Sequence, residues 1–239
     1  MKPFQIKTLL LATSMCATLA ACGGGDDDSA TSTTTPAAAP SFASCFDVTA
    51  GVAYTMTDPD AGGVSDGVLM LKESFEGAVR SATVELQNAT SIRSSANYWS
   101  QESNGIRFWG DINYDGTGTA ELKTVFSNGF LLPLNMQAGQ SADLSYNATS
   151  TYLSGSQAGE TETSALHESW TFEGFDTLTL GGKTFTNVCR IKSSSIPAGE
   201  DGPTTLWVAK GFGMVRVQHT DDKGAIVEES QLETITAQP

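Results

Sequence analysis

A period of two runs through most of the chain beyond residue 41, and it restricts the fold more than any other feature. Arg80, Ala82, Val84 and Leu86 alternate with Ser81, Thr83, Glu85 and Gln87. Leu166, Glu168, Trp170 and Phe172 alternate with His167, Ser169, Thr171 and Glu173. Phe185, Cys189 and Ile191 share one face of a third run, and Val215, Val217 and His219 share one face of a fourth. Alternation of this kind sends successive side chains to opposite faces of a strand, and the Val, Thr, Phe, Trp and Tyr content suits strands. Turn dipeptides separate the runs: Asp66-Gly67, Glu76-Gly77, Asn104-Gly105, Asp115-Gly116, Gly181-Gly182, Lys210-Gly211 and Lys223-Gly224. No long apolar stripe has helical spacing, and Phe130 to Met136 is too short and too interrupted by Pro133 to span a membrane. Residues 41–239 are therefore expected to form one all-β domain, an antiparallel sandwich or a strongly curved, barrel-like sheet. A split into two small β-subdomains near Ser156 to Glu160 is the competing arrangement.

The start of the chain has a different character. Lys2 and Lys7 precede a short apolar run from Thr8 to Ala20, and small residues follow, as in a secretory signal peptide over 1–21. Leu19-Ala20-Ala21-Cys22 resembles a bacterial lipobox. The resemblance implies acyl chains on Cys22, which anchor a protein stably when there are two or three of them. Gly23 rather than aspartate after that cysteine implies sorting to the outer membrane of a Gram-negative cell. Residues 23–40 contain three consecutive aspartates, then Ser/Thr and Ala/Pro, and no large apolar side chain. Residues 22–40 thus form a lipidated cysteine and a disordered tether, with an average reach of about 20–25 Å.

The whole chain of 239 residues carries a net charge of −14, and loss of the leader with its two lysines makes it more acidic. That balance argues against nucleic acid as a partner and favours solubility, divalent cations or basic partners. Of four cysteines, Cys16 lies in the leader and Cys22 is the lipidation site. In an oxidising compartment Cys45 and Cys189 most simply form one disulfide; two buried, reduced thiols are the alternative.

Two groups of residues are candidates for a site. Asp111, Asn113 and Asp115, followed by Gly116, match the opening of a calcium loop. Glu121 falls one position short of the usual closing ligand, so a plain strand-to-strand turn competes with calcium, the one cofactor suggested. The acidic loop with Asp58, Asp60 and Asp66 reads as a surface turn. The aromatic residues Tyr98, Trp99, Phe108 and Trp109 could line a ligand groove, although adjacent pairs must point to opposite faces of a sheet. His167 is expected at the surface, as is His219 near a strand end. Neither has the surroundings of a catalytic triad.

Near the C-terminus, Leu180-Gly181-Gly182-Lys183-Thr184-Phe185-Thr186-Asn187-Val188-Cys189-Arg190-Ile191 is followed by Trp207-Val208-Ala209-Lys210-Gly211-Phe212-Gly213-Met214-Val215-Arg216. Together they resemble an uncharacterised all-β domain of bacterial envelope lipoproteins, with a P-A-G-x-F-x-N-C-like segment and then W-x-x-x-G-x-G-x-V-[KR]. Here Leu180-Gly181-Gly182 stands in place of Pro-Ala-Gly. The resemblance implies a fold rather than an activity. The expectation is a membrane-anchored envelope lipoprotein whose domain binds a small molecule or a protein without catalysis. A carboxylate-based hydrolase and a purely structural protein are the alternatives.

Overall fold

The computed structural model describes residues 40–57, 65–196 and 201–238. Cys22, the leader, the tether up to residue 39 and the loop positions Asp58 and Asp60 lie outside the described residues. Twelve antiparallel strands close into a barrel: β1 (Ala53–Thr57), β2 (Ser65–Phe75), β3 (Ala78–Leu86), β4 (Arg93–Gln101), β5 (Gly105–Tyr114), β6 (Ala120–Pro133), β7 (Gln140–Tyr152), β8 (Thr161–Leu180), β9 (Lys183–Ser195), β10 (Asp201–Ala209), β11 (Gly213–Asp221) and β12 (Ile226–Ala237). Each strand pairs with its sequence neighbours, and β1 pairs with β12 to complete the ring. Of the two arrangements expected, the curved sheet is realised as full closure. Ser156 to Glu160 form no domain boundary but the connection between β7 and β8 of the same barrel.

The turns fall where short Gly-containing pairs permit positive φ. Glu76 and Gly77 have φ of 49° and 74°, joining β2 to β3, and Gly211 and Gly213 have φ of 82° and 87° between β10 and β11. Asp66-Gly67 is not a break. Both residues lie inside β2, where Gly67 pairs with Thr55 on one side and Leu86 on the other. Long-range pairing on both edges overrides the local turn preference.

The alternation places polar residues outside along the best-formed hairpin. Ser141, Asp143, Ser145 and Asn147 of β7 are exposed, and they face Thr171, Ser169, His167 and Ala165 of β8. The intervening Leu144 and Ala148 are buried. A membrane-spanning barrel carries its apolar band outward; along this hairpin the polarity is the reverse.

A short 3-10 turn, Phe42–Phe46, precedes β1 and enters the barrel at the end that carries the β10–β11 turn. Val48 bridges Gly211 there, and the Gly211 N–H donates to the Asp47 carbonyl at 2.7 Å. Phe42 is 2% exposed and packs on Phe172, with ring centroids 4.7 Å apart. Cys45 and Cys189 are bonded, with Cα atoms 6.0 Å apart. This turn is the floor of the barrel, and the disulfide fixes it to β9.

Two further apolar clusters flank this core. Phe75, Ala82, Val84, Ala96 and Tyr98 form one, on the far side of β3 and β4 from the lumen. Phe185, Val188, Trp207, Phe212, Val215 and Leu232 belong to the other, where the tip of the long β8–β9 hairpin packs against the β10–β11 turn. Phe185 therefore does not share a face with Cys189 and Ile191. Asn187, at φ 56°, and a register shift opposite it reset the pleat.

Reduction of the Cys45–Cys189 bond, whose sequence separation is 144, releases both the floor and a long loop constraint. We expect Cys45→Ser/Cys189→Ser to lower unfolding free energy by about 3–5 kcal/mol, measured by urea denaturation against the oxidised protein.

Candidate functional site

Barrels of about eight strands have lumens that side chains just fill, and wider ones leave space. Here twelve strands surround a cavity of about 360 Å3, within the ~300–1,000 Å3 range of small-molecule sites. Its wall is built by alternate residues of successive strands: Thr83 and Glu85 of β3, Asn97 and Trp99 of β4, Ile106 and Phe108 of β5, Phe126 and Phe130 of β6. Tyr146, Glu168, Trp170, Ile191, Leu206 and Val208 continue it, with Phe46 and Val48 from the floor segment.

The cavity is graded from one end to the other. Near the floor, aromatic rings dominate. Phe108 stacks on Phe130 at 4.7 Å, Phe130 on Tyr146 at 4.6 Å, and Trp170 lies 5.9 Å from Phe108. Towards the opposite end a second chamber shares Glu85 and Met214 with the first. Asp66, His219, Glu228, Thr57 and Ser230 line it. Every odd strand from β3 to β9 runs from floor to mouth and every even strand from mouth to floor. On β3 to β5 the register places Glu85, Asn97 and Asp111 towards the mouth and Trp99, Ile106 and Phe108 towards the floor.

Glu168 stands at the boundary between the two chemistries. Its Oε1 accepts from the Tyr146 hydroxyl at 2.9 Å and its Oε2 from the Trp170 indole N–H at 2.8 Å. Burial, and then the charge of Glu168, push the Tyr146 hydroxyl well above the ordinary phenol range, so it remains a donor at neutral pH. Glu85 accepts from the Ser95 hydroxyl at 2.9 Å. Among the described residues no Lys or Arg lines either chamber. Arg107, Arg190 and Arg216 are each next in sequence to a lumen side chain and so point to the other face. There they pair with Glu102, Glu173 and Glu229 at 2.7, 2.8 and 2.9 Å.

The aromatic group named from the sequence is divided between the two faces. Trp99 and Phe108 line the cavity. Tyr98 is buried against Phe75 in the outer cluster, at 4.2 Å between centroids. Trp109 lies on that side too, under the Arg80 guanidinium at 3.7 Å, and donates to Ser100 Oγ at 2.9 Å. A β-bulge at Trp109-Gly110 separates the sets. Gly110 has φ 146°, and a Cβ there would lie 2.0 Å from the Thr124 carbonyl oxygen. The bulge also turns Asp111 to the lumen side, opposite Asn97 and Thr124.

Asp111, Asn113 and Asp115 are not equivalent. Asn113 Nδ2 donates to Asp111 Oδ1 at 3.2 Å. Asp115 Oδ1 accepts from the Thr117 N–H, the Thr117 hydroxyl and the Thr119 N–H at 2.8, 2.6 and 2.9 Å. That carboxylate stabilises the β5–β6 turn. Among the described residues no three His, Cys, Asp or Glu side chains gather to hold a metal. His167 is exposed, as its strand face predicts. His219 instead lines the mouth chamber, where its Nδ1 is 2.8 Å from the Thr204 hydroxyl.

Of the wall residues, only Trp99 and Phe108 are marked as a site in the sequence; Glu85, Phe126, Phe130, Tyr146, Glu168 and Trp170 are among those that are not. One signal was available: Glu168 interrupts the otherwise apolar face of Leu166, Trp170 and Phe172.

Fold and site together define an antiparallel up-and-down β-barrel with an internal chamber, floored by a disulfide-linked segment. No protein-family model and no curated protein matches the chain. Among solved structures, it is similar to a presumed exported protein with a YmcC-like fold from Bacteroides fragilis. The identity is 13%, with 80% of this chain and 98% of the other covered and a TM-score of 0.49.

The two aspartates have opposite environments. Burial is the largest influence on Asp111 and raises its pKa, against hydrogen bonds from Thr124 and Asn113 that lower it. The Thr117 hydroxyl and the turn N–H groups hold Asp115 below its ordinary value. Asp115 therefore stabilises the fold above the unfolded-state pKa, and this contribution is lost as pH falls through the folded value. Asp111 favours folding when protonated, and that contribution is lost as pH rises through its raised value. Carboxyl-carbon NMR titration is expected to place Asp111 above and Asp115 below the ordinary aspartate value of about 3.9. Asp111→Asn is expected to raise the melting temperature at neutral pH, and Asp115→Ala to lower it.

Proposed function

We propose that this chain is an envelope lipoprotein, anchored through Cys22 in the outer membrane of a Gram-negative bacterium, whose barrel holds a small apolar or amphiphilic molecule. The observation that carries the binding reading is the cavity, aromatic at its floor and more polar at its mouth, inside a barrel whose β7–β8 hairpin turns a polar face outward. Such a container shields apolar surface from water on the ligand's behalf, which is the main driving force for its retention. Glu168 and Glu85 are each hydrogen-bonded to fixed neighbours, an arrangement suited to holding charge rather than transferring a proton. The leader, the lipobox-like Leu19-Ala20-Ala21-Cys22 and the tether composition support the anchored, exported state.

Two experiments test this. Metabolic labelling with palmitate should mark the wild-type chain and not Cys22→Ser; equal labelling would refute the anchor. The neutral fluorophore N-phenyl-1-naphthylamine should bind the unlipidated protein saturably, at one molecule per chain. Leu206→Trp, which projects bulk into the lumen, should weaken that binding by about tenfold or more in protein whose melt shows it to be folded. Absence of saturable binding to the wild type would overturn the lumen reading.

A further inference from the structure

The charged side chains that line the aromatic cavity, Glu85 and Glu168, are both carboxylates, and this narrows the ligand class. We propose that the cavity selects a cationic amphiphile, a molecule with an ammonium-type head and an apolar tail, over neutral or anionic amphiphiles of the same length. The inference rests on the lumen-binding reading and deepens it. Three observations converge. Glu85 and Glu168 both line the cavity, while among the described residues no Lys or Arg does. The described arginines nearest in sequence to lumen positions face outward and are paired there. Aromatic rings surround the carboxylate, with Trp170 and Tyr146 hydrogen-bonded to it by their edges.

Each of these features favours a cation. A carboxylate has two oxygens and about four lone-pair positions, and Glu168 has committed one on each oxygen. The free positions can accept from an ammonium N–H or face a quaternary head. Aromatic faces attract cations through the ring quadrupole, and a partly desolvated setting strengthens that attraction. An anionic head would meet uncompensated carboxylates, and a neutral one would leave them without a counter-charge. The gradient fixes the orientation: the tail lies among Phe108, Phe130 and Trp99 near the floor, and the head sits between Glu168 and Glu85 below the acidic mouth.

The test compares decyltrimethylammonium, 1-decanol and decanoate by calorimetry, each below its micelle concentration, at about 0.15 M salt so that the overall negative field is screened. The protein is the chain from residue 22 onward with Cys22→Ser, which contains every described residue and bears no acyl chain. The cation is expected to bind about tenfold or more tightly than the alcohol, and decanoate to bind weakest. Glu85→Gln/Glu168→Gln should abolish the preference, so that cation and alcohol bind this variant with equal affinity. Binding of alcohol and cation with equal affinity in the wild type would overturn the charge selectivity and leave the lumen reading intact. A preference that persists in the double variant would overturn the assignment to these carboxylates. Failure of all three probes to bind would overturn the lumen reading itself. The wild-type ranking decides the selectivity even where the variant fails to fold.

Discussion

β1 is five residues long, yet it carries a ladder on each edge, with β2 on one side and β12 on the other. Its pairing with β12 joins Ala53 to Ala237, nearly the full length of the domain apart in sequence, whereas the other strand pairs are between sequence neighbours joined by turns or short connections. Closure abolishes free edges, which would otherwise expose rows of unpaired N–H and C=O groups. It also costs the largest loop entropy in the fold. The floor segment lies immediately before β1 and bears on that cost. With Phe42 seated on Phe172 and Cys45 bonded to Cys189, the chain leading into β1 is already held at the correct end of the barrel.

Once the ring is closed, side-chain alternation has a second meaning. One face of every strand looks into a shared lumen, so residues far apart in sequence converge there. Ile106, Phe130, Ile191 and Val208 come from four strands and form one apolar wall. The opposite face is covered only where hairpins extend beyond the ring and curl over it, as Phe75 does at Tyr98 and Phe185 at Phe212. Arg93, Lys123, Arg190 and Arg216 are kept on that outer side, in ion pairs with partly exposed carboxylates. Pairs of that kind add little stability each; their consequence is that these four cations do not neutralise Glu85 and Glu168 of the cavity.

Much of the fold was legible in the sequence. The alternation in residues 80–87 and 166–173 named β3 and β8, and most of the Gly-containing dipeptides fall at turns. The disulfide partners were identified by elimination among four cysteines, and the structure joins them. The misreadings have a common physical origin. Asp66-Gly67 has turn chemistry but is held in β2 by neighbours on both edges. The bulges at Gly110 and Asn187 shift the period by one residue, which moved Asp111 to the lumen and Phe185 out of the face of Cys189. Local propensity is worth tenths of a kcal/mol to about 1 kcal/mol per residue, and a long ladder on both edges outweighs it. Of the candidate site, Trp99 and Phe108 were named and their neighbours Tyr98 and Trp109 were assigned with them, because alternation says that two faces differ without saying which is inside.

The sequence by itself determined that the folded part is antiparallel β, where most strands turn, that one cysteine pair is available, and that the chain is strongly acidic. These are properties of short windows and of composition, and periodicity reads them directly. Only the tertiary structure decided that the sheet closes, that Phe42–Phe46 forms its floor, and that Glu85 and Glu168 meet the same aromatic chamber while the arginines stay outside. The reason is that a lumen is a property of the ring. Its wall draws one or two residues from each strand, so the site has no contiguous signature and exists only once the first strand has found the last.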